Sequence, residues 1–182
     1  MTLPMTIRIA CTTSKIGFVF SQRGVVMEAA SSFFLPRLIG LSSALYLTTT
    51  GLVLPASDPH FGPLFHHILP SPETVLPKAL SIAEQIVKQI VKQTSTVSTY
   101  LMREMMWRNP RTAEETHLLD SQIMWELYEN GDKKEGIRAF LEKREPVMKG
   151  TLRDDMPANV PWWTAIDTVP RGGKERTGKS RL

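Results

Sequence analysis

The stretch that decides the fold is RGVVMEAASSFFLPRLIG, residues 23–40. Gly24 is expected to end a strand, and the Glu-Ala-Ala-Ser-Ser run that begins at Glu28 is expected to open a helix. That helix would carry four large apolar side chains: Phe33, Phe34, Leu35 and Leu38. Pro36 lacks a backbone N–H, so the helix should be short or kinked, and Gly40 should stop it.

On either side of this stretch the pattern changes. Residues 6–20 alternate and are rich in β-branched and aromatic side chains around a Thr-Ser-Lys break, which predicts two short strands. Ser42-Ser43 predicts the start of a second helix that runs to Gly51. Five prolines make residues 54–74 a loop-rich zone.

The second half of the chain is predicted to be mainly helical. A long helix should run from Leu76 to Gln93, and it contains a repeat, in which Gln85-Ile-Val-Lys is followed by Gln89-Ile-Val-Lys. Four added residues make about one helical turn and nearly keep the apolar face in register. We interpret the repeat as a local duplication without a function of its own.

Three further helices follow, and they have distinct patterns. Ser95-Thr96 should cap the first of them, and Asn109-Pro110 should end it. The second should run from His117 to Tyr128. After an Asn130-Gly131 turn, the third should run from Lys134 to Arg144. Met105 and Met106 on the first are typical of a core or a subunit interface rather than a cofactor site. The last carries Ile137, Phe140 and Leu141 on one face. From Pro146 onward the prolines predict an extended, peripheral segment.

The basic charge of the chain is confined to its end. The sequence pI is about 9.3, but the last twelve residues hold five Lys or Arg and one Glu, a surplus equal to the whole net charge of +4. Residues 1–170 are therefore neutral, whereas a nucleic-acid groove would need cations clustered on folded structure. This distribution argues against a nucleic-acid partner.

Other function classes lack their signals. Cys11 is the single cysteine, so it cannot form an internal disulfide. No CxxC or HExxH spacing suggests a metal, and we interpret His66-His67 as packing or surface residues. The most apolar stretch, Phe33 to Leu54, is broken by charged, proline and hydroxyl residues, so no membrane span is expected. The first residues also lack the pattern of a signal peptide.

The order of several short motifs resembles the crotonase, or enoyl-CoA hydratase/isomerase, superfamily over roughly residues 5–145. The motifs are Ile7-Arg-Ile-Ala, Ile16-Gly-Phe, Arg23-Gly, Glu28-Ala-Ala-Ser-Ser, Leu35-Pro-Arg-Leu-Ile-Gly, Thr50-Gly and Glu135-Gly-Ile-Arg-Ala-Phe. The resemblance implies an α/β fold, the C-terminal part of a coil of ββα turns followed by a mostly helical trimerisation region. Its parts would be a core remnant (1–55), a loop (56–75), a C-terminal helical region (76–145) and an extended tail (146–182).

The resemblance also implies a chemistry. Family members bind an acyl-CoA thioester without a further cofactor, stabilise its enolate with two backbone N–H groups, and move a proton with a carboxylate. Glu28 stands where the isomerase branch has its acid, after three apolar residues that we expect to surround it. Phe20 stands where hydratases have a strand carboxylate, so a shift of the double bond from 3-enoyl to 2-enoyl is favoured over hydration. The alternative is that Glu28 is a first-turn acid favoured only by the helix dipole.

A second candidate concerns the binding of CoA. Lys143 resembles the family's C-terminal lysine, which reaches a CoA phosphate, often on a neighbouring subunit of a homotrimer or hexamer. Its alternative is an ordinary solvated helix face.

The family pattern starts about a hundred residues before Met1, so both oxyanion-hole segments would precede this chain. Three hypotheses result: a family enzyme represented by a truncated chain, a catalytically inactive paralogue that only assembles with full-length subunits, and, much weaker, a basic-tailed nucleic-acid binder. The resemblance is to fungal members, some of which serve secondary metabolism, including toxin and siderophore acyl groups, and others fatty-acid β-oxidation.

The last three residues, Ser180, Arg181 and Leu182, are similar to the Ser-Lys-Leu signal for the peroxisome. The charged, Gly-containing tail before them should leave the triplet accessible to the peroxisomal import receptor. An ordinary basic tail is the alternative.

Overall fold

The computed structural model describes residues 2–164 and residue 166. The chain forms two compact units, of which the first ends at Val87 and the second begins at Lys88. Each unit has its own hydrophobic cluster. Within the described ranges, no helix has both the length and the apolar character needed to cross a bilayer.

Two small sheets organise the first unit. Strands β1 (Ile9–Cys11) and β2 (Lys15–Gly17) are the two strands predicted within residues 6–20. β3 (Val53–Pro55) pairs antiparallel with β2, and β4 (His67–Leu69) pairs parallel with β1. The proline-rich residues 54–74 therefore contribute partners to both early strands, since strands of three residues are too short for period-two alternation to show.

Two helices contribute side chains to the core of the first unit. α1 (Ser31–Ile39) contains Pro36 and is short, and α2 (Leu41–Thr50) ends where Gly51 takes a left-handed φ of 61°, as predicted. α3 (Val75–Gln85) follows, and 3₁₀ turns lie at Ser21–Arg23, Pro59–Leu64 and Pro72–Thr74. The buried cluster is formed by Leu3, Phe18, Leu35, Ala44, Leu47, Phe61 and Leu64.

Two expectations for the decisive stretch are wrong. Gly24 does not end a strand, because it closes the 3₁₀ turn Ser21–Arg23 with a left-handed φ of 65°. The helix does not open at Glu28 but at Ser31, since Ala29 and Ala30 adopt left-handed φ angles of 49° and 57°. Good helix formers have here been overridden by tertiary structure.

The helix predicted from Leu76 to Gln93 changes type at the repeat. α3 ends at Gln85, a π-helical segment spans Ile86–Ile90, and α4 (Val91–Gln93) resumes the α-helix. Each copy of the repeat has four residues, which is more than the roughly 3.6 residues of one α-helical turn. A π-helical turn holds more residues than an α-helical turn, so it accommodates the additional fraction of a residue.

Side-chain caps mark where the longer helices of the second unit begin. α5 (Thr96–Trp107) is capped as predicted, because the Ser95 side chain accepts the Ser98 N–H at 3.3 Å. α6 (Ala113–Leu127) begins four residues before the predicted start, where Thr112 accepts the Glu115 N–H. α7 (Gly131–Glu142) begins earlier too, because Asn130 is its N-cap, accepting the Asp132 N–H at 2.9 Å.

The described part of the last segment is extended, but it is not peripheral. Met156, Val160 and Trp162 pack against the cluster formed by Val97, Leu101 and Ile123. The Trp162 indole N–H also donates to the carbonyl of Arg108 at 3.0 Å. This stretch therefore completes the core of the second unit.

Candidate functional site

Glu28 lies in an irregular stretch between the 3₁₀ turn Ser21–Arg23 and α1. The turn is attached to α2 and the glycine after it: the Ser21 hydroxyl donates to the Thr48 carbonyl at 3.3 Å, and the Gln22 amide donates to the Gly51 carbonyl at 2.8 Å. Gly51 leaves the space that this amide occupies, since a Cβ there would lie 2.8 Å from the Gln22 nitrogen. The stretch before Glu28 is thus anchored to the body of the unit.

The backbone after Glu28 is held in an unfavourable conformation. Left-handed φ angles cost an L-residue about 1–2 kcal/mol, and Ala29 and Ala30 adopt them in succession. Strain of this kind persists only where surrounding contacts impose it, and it is often found at functional sites. Glu28 lies three positions before the first helical residue. It therefore does not lie in the first turn of α1, as the helix-dipole alternative required.

Ser31 contacts the backbone of Glu28 across these two alanines. Its backbone N–H donates to the Glu28 carbonyl at 3.0 Å, and its hydroxyl donates to the same carbonyl at 2.5 Å. The Ser31 side chain is fully buried, with 0% of its surface exposed. The Glu28 backbone is therefore fixed by two donors from one residue.

The Glu28 side chain is exposed, and its surroundings differ from the expectation. Val26 is 85% exposed and Val25 is exposed as well, while only Met27 packs against the core cluster. Apolar neighbours in sequence therefore do not enclose the carboxyl. Within the part of the chain that the structure describes, the Glu28 carboxyl has no hydrogen-bond or ion-pair partner. A carboxylate so placed can accept a proton from a group that approaches it.

Phe20, which the family resemblance led us to expect at the position of a hydratase carboxylate, packs against the core cluster of the first unit. Its carbonyl accepts the N–H groups of Arg23 and Val25, at 3.0 and 3.1 Å. Phe20 therefore contributes an apolar ring to the core and a carbonyl to a backbone turn.

Lys143 lies in the second unit, where it follows the last residue of α7 with a left-handed φ of 54°. Its side chain is exposed. The neighbouring Arg144 is exposed as well, but its side chain is engaged in ion pairs. Arg144 forms a two-point pair with Glu135, at 2.6 and 3.0 Å, and contacts Glu142 at 2.6 Å. Of these two cations at the end of α7, Arg144 is committed to carboxylates, and the exposed Lys143 has no ion-pair partner among the described residues.

A cleft that the sequence did not reveal lies at the start of α7. Its volume is about 500 Å³, and Asp132 and Glu135 form part of its wall. Asp132, 6% exposed, accepts the N–H groups of Lys149 and Gly150 at 2.8 and 2.9 Å. Burial opposes ionisation of Asp132, but hydrogen bonds from Ser95 and these two amides outweigh it and lower its pKa. The signal available in the sequence was the Asn130 cap, which places Asp132 in the first turn.

The remaining candidates are metal-binding side chains, the histidine pair and the C-terminal triplet. In residues 2–164 and 166, no three His, Cys, Asp or Glu side chains come together as a metal site. His66 and His67 lie beside and within β4, where the His66 ring nitrogen accepts the Arg8 N–H at 3.2 Å. Ser180, Arg181 and Leu182 lie outside the described residues.

Comparison with known proteins identifies relatives along most of the chain. The family model for enoyl-CoA hydratase/isomerase matches residues 1–151. An enoyl-CoA hydratase of Alternaria alternata is 45% identical over 160 residues, which are 88% of this chain and 53% of the relative. A trans-2-decenoyl-[acyl-carrier-protein] isomerase of Streptococcus mutans is 28% identical over 144 residues, 78% of this chain and 52% of that protein. The chain thus spans about half the length of these curated relatives.

Solved structures agree with the sequence relatives. The crystal structure of a probable enoyl-CoA hydratase/isomerase from Mycobacterium abscessus matches with a TM-score of 0.69 and 27% identity, covering 82% of this chain and 57% of the other. The predicted fold class, the C-terminal part of a crotonase fold, is confirmed. With the family model matching residues 1–151, this chain belongs to the enoyl-CoA hydratase/isomerase family of the crotonase superfamily.

Proposed function

We propose that this chain serves in the double-bond isomerisation of an enoyl-CoA thioester, with Glu28 moving the proton. The observation that carries the proposal is the contrast between two positions. Glu28 offers an exposed carboxyl that has no competing partner among the described residues, while Phe20 fills the position of a second acid and packs against the core cluster. One carboxylate suffices to move a proton between two carbons, whereas the family's hydration chemistry places and deprotonates a water with two.

The step can be written for a 3-enoyl-CoA. The Glu28 carboxylate takes a proton from carbon 2, and the electron pair forms a dienolate whose negative charge lies largely on the thioester oxygen. The same carboxyl returns the proton to carbon 4, which leaves the double bond between carbons 2 and 3. N–H donors at the thioester oxygen would stabilise the dienolate. The acyl group would come from fatty-acid β-oxidation or from fungal secondary metabolism of the toxin or siderophore kind.

Hydration is the competing reaction, and the name of the Alternaria relative favours it. The purified chain should be incubated separately with a 3-enoyl-CoA and a 2-enoyl-CoA, and the products identified by ultraviolet absorbance and mass spectrometry. Isomerisation would produce a conjugated thioester of unchanged mass from the first substrate. A product heavier by one water from the second substrate, without isomerisation of the first, would contradict the proposal.

A catalytically inactive chain that assembles with longer family subunits is the alternative. The exposed apolar surface of the second unit favours assembly: Met106, Trp125 and Phe140 are 73%, 78% and 81% exposed. Exposed apolar side chains in such number are typical of an interaction surface, and a homotrimer or hexamer would cover them. Light scattering after size exclusion should give a multiple of the 20.5 kDa chain mass, and Trp125→Glu should reduce it. A monomeric parent chain would contradict assembly with itself.

Lys143 is the proposed contact to a CoA phosphate. Lys143→Gln should raise KM for the thioester, while Lys149→Gln serves as a control on the neighbouring segment. An equal KM for both variants would contradict this role.

The peroxisome is the proposed location, on the basis of Ser180-Arg181-Leu182 and receptor recognition of such triplets. A fluorescent fusion should enter peroxisomes with a free C-terminus and stay in the cytosol when one residue is added after Leu182. Continued punctate import of the extended form would exclude this proposal.

A further inference from the structure

We infer that Ser31 is a positioning residue for Glu28: its buried hydroxyl holds the turn that keeps Glu28 outside helix α1. This inference rests on the proposed role of Glu28 in isomerisation. Ser31 itself is fully buried and would not touch the substrate, so it would act through the backbone of its neighbour.

Two conformations compete for residues 28–30. Glu and Ala are among the best helix formers, so Glu28, Ala29 and Ala30 would by themselves extend α1 toward its N-terminus. The structure instead places both alanines in the left-handed region, at φ angles of 49° and 57°. An extended helix would turn the Glu28 side chain by about 100° for each residue added, because an α-helix has 3.6 residues per turn.

The direction of the hydrogen bonds at Ser31 also favours the turn. A serine at a helix N-terminus most often accepts a backbone N–H as a cap. Ser31 instead donates its hydroxyl, together with its own N–H, to the Glu28 carbonyl. In a helix extended to Glu28, that carbonyl would accept from Ser32, the residue four positions on, so these two bonds select the turn over the helix.

The chain supplies its own matched control. Ser32 is the next residue of the same helix, carries the same side chain and is exposed. Ser32→Ala removes an equivalent hydroxyl without touching the turn. Ser31→Ala removes the hydroxyl that holds it.

The test measures kinetics first. In the full chain, Ser31→Ala should lower kcat for a 3-enoyl-CoA by about ten- to a hundredfold, the usual effect of a displaced catalytic group. KM should stay within about twofold, since only the transition state loses an interaction. Ser32→Ala should keep the parent rate. Because glycine adopts the left-handed region without steric cost, Ala29→Gly with Ala30→Gly should recover part of the rate lost in Ser31→Ala.

A spectroscopic measurement separates this inference from the proposed function. The backbone carbonyl ¹³C resonance of Glu28, in protein labelled with ¹³C and ¹⁵N, should move in Ser31→Ala and stay in place in Ser32→Ala. An unmoved resonance, or equal kcat values in the two serine variants, would overturn the inference. If the parent chain does not isomerise at all, the proposed function fails, and the resonance alone decides whether Ser31 holds the turn.

Discussion

Two glutamates, one in each unit, are held in opposite ways. Glu135 accepts two hydrogen bonds from Arg144 and one from the Val147 N–H, and this pairing lowers its pKa to about 2. Glu28 keeps its carboxyl unpaired within the described residues, and only its backbone carbonyl is bound, by Ser31. A carboxylate that holds segments together loses its affinity for protons. Glu28, by contrast, is held through its backbone carbonyl, which leaves its carboxyl open.

The same contrast extends to the buried charges of the two units. In the second unit, Glu104 is buried and pairs with Arg103 and Arg108 at 2.5 and 2.7 Å. In the first unit, the buried charge is Arg8, whose guanidinium donates to backbone carbonyls, including that of Leu64 at 2.7 Å. Among the described residues, the buried charges of the second unit are thus the carboxylates Glu104 and Asp132, whereas the buried charge of the first is the cation Arg8.

The largest expected effect separates the two glutamates by activity. Glu28→Gln should lower kcat by about a hundred- to ten-thousandfold, the usual contribution of a general acid–base group. It should change the free energy of unfolding by less than about 0.5 kcal/mol, because the side chain is exposed and unpaired. Glu135→Gln should lower the thermal midpoint and leave kcat near the parent value. Equal loss of rate in both variants would remove the distinction.

The next effect concerns Asp132, which binds two backbone amides of the extended segment. Asp132→Ala should lower the free energy of unfolding by about 2–3 kcal/mol, because both amides lose their acceptor at a buried place. Asp132→Asn keeps one carbonyl oxygen and should cost less. All four tryptophans follow Lys88, so urea titration monitored by tryptophan fluorescence reports on the second unit. An Asn variant as unstable as the Ala variant would contradict this account.

A pH dependence follows from Glu135. Its folded pKa, about 2, lies below the ordinary value of 4.5 because Arg144 and the Val147 N–H favour the ionised form. A depressed carboxyl pKa contributes stability above the unfolded value, and that contribution is lost as pH falls from about 4.5 toward 2.

The measurement is the Val147 amide resonance followed by NMR between these pH values. It should titrate in the parent and in Glu142→Gln, which removes the other partner of Arg144, and become flat in Glu135→Gln. A profile that persists in Glu135→Gln would assign the titration to another group.

The smallest expected effect tests the strain beside Glu28. Ala30→Gly removes the steric cost of the left-handed φ, which is about 1–2 kcal/mol. It also raises the conformational entropy of the unfolded chain, which lowers the free energy of unfolding by about 0.4–1 kcal/mol. The free energy of unfolding should therefore rise by about 0.5–1 kcal/mol. Ala83→Gly, within α3, should lower it by about 0.5–1 kcal/mol. Thermal unfolding followed by circular dichroism compares them, and a loss of stability in both would show that Ala30 carries no strain.

Elements that carry local signals were predictable from the sequence. Gly51 ends α2 and Ser95 caps α5, as the residue types indicated. The Thr112 cap of α6 was also readable, because Thr112 and Glu115 have the spacing of a capping box. The order of the motifs was enough to place the chain in its family.

What the sequence could not supply depends on distant contacts. α1 begins at Ser31 because a buried hydroxyl overrides the helix propensity of Glu28-Ala-Ala. β4 is recognisable only through its pairing with β1, and Trp162 joins a core formed by residues far away in sequence. Periodicity placed Ile137 and Phe140 on one face, and the structure shows that this face is exposed. Likewise the motif order indicated Glu28 as a candidate residue, but it did not predict that the carboxyl would be exposed and, among the described residues, unpaired.

The π-helical segment has a consequence in genetic terms. It coincides with tandem copies of the same four residues, so an in-frame insertion of one copy in the coding sequence can be accommodated by widening one helical turn. A chain with one copy of the repeat should form the same helices with an unbroken α-helical ladder.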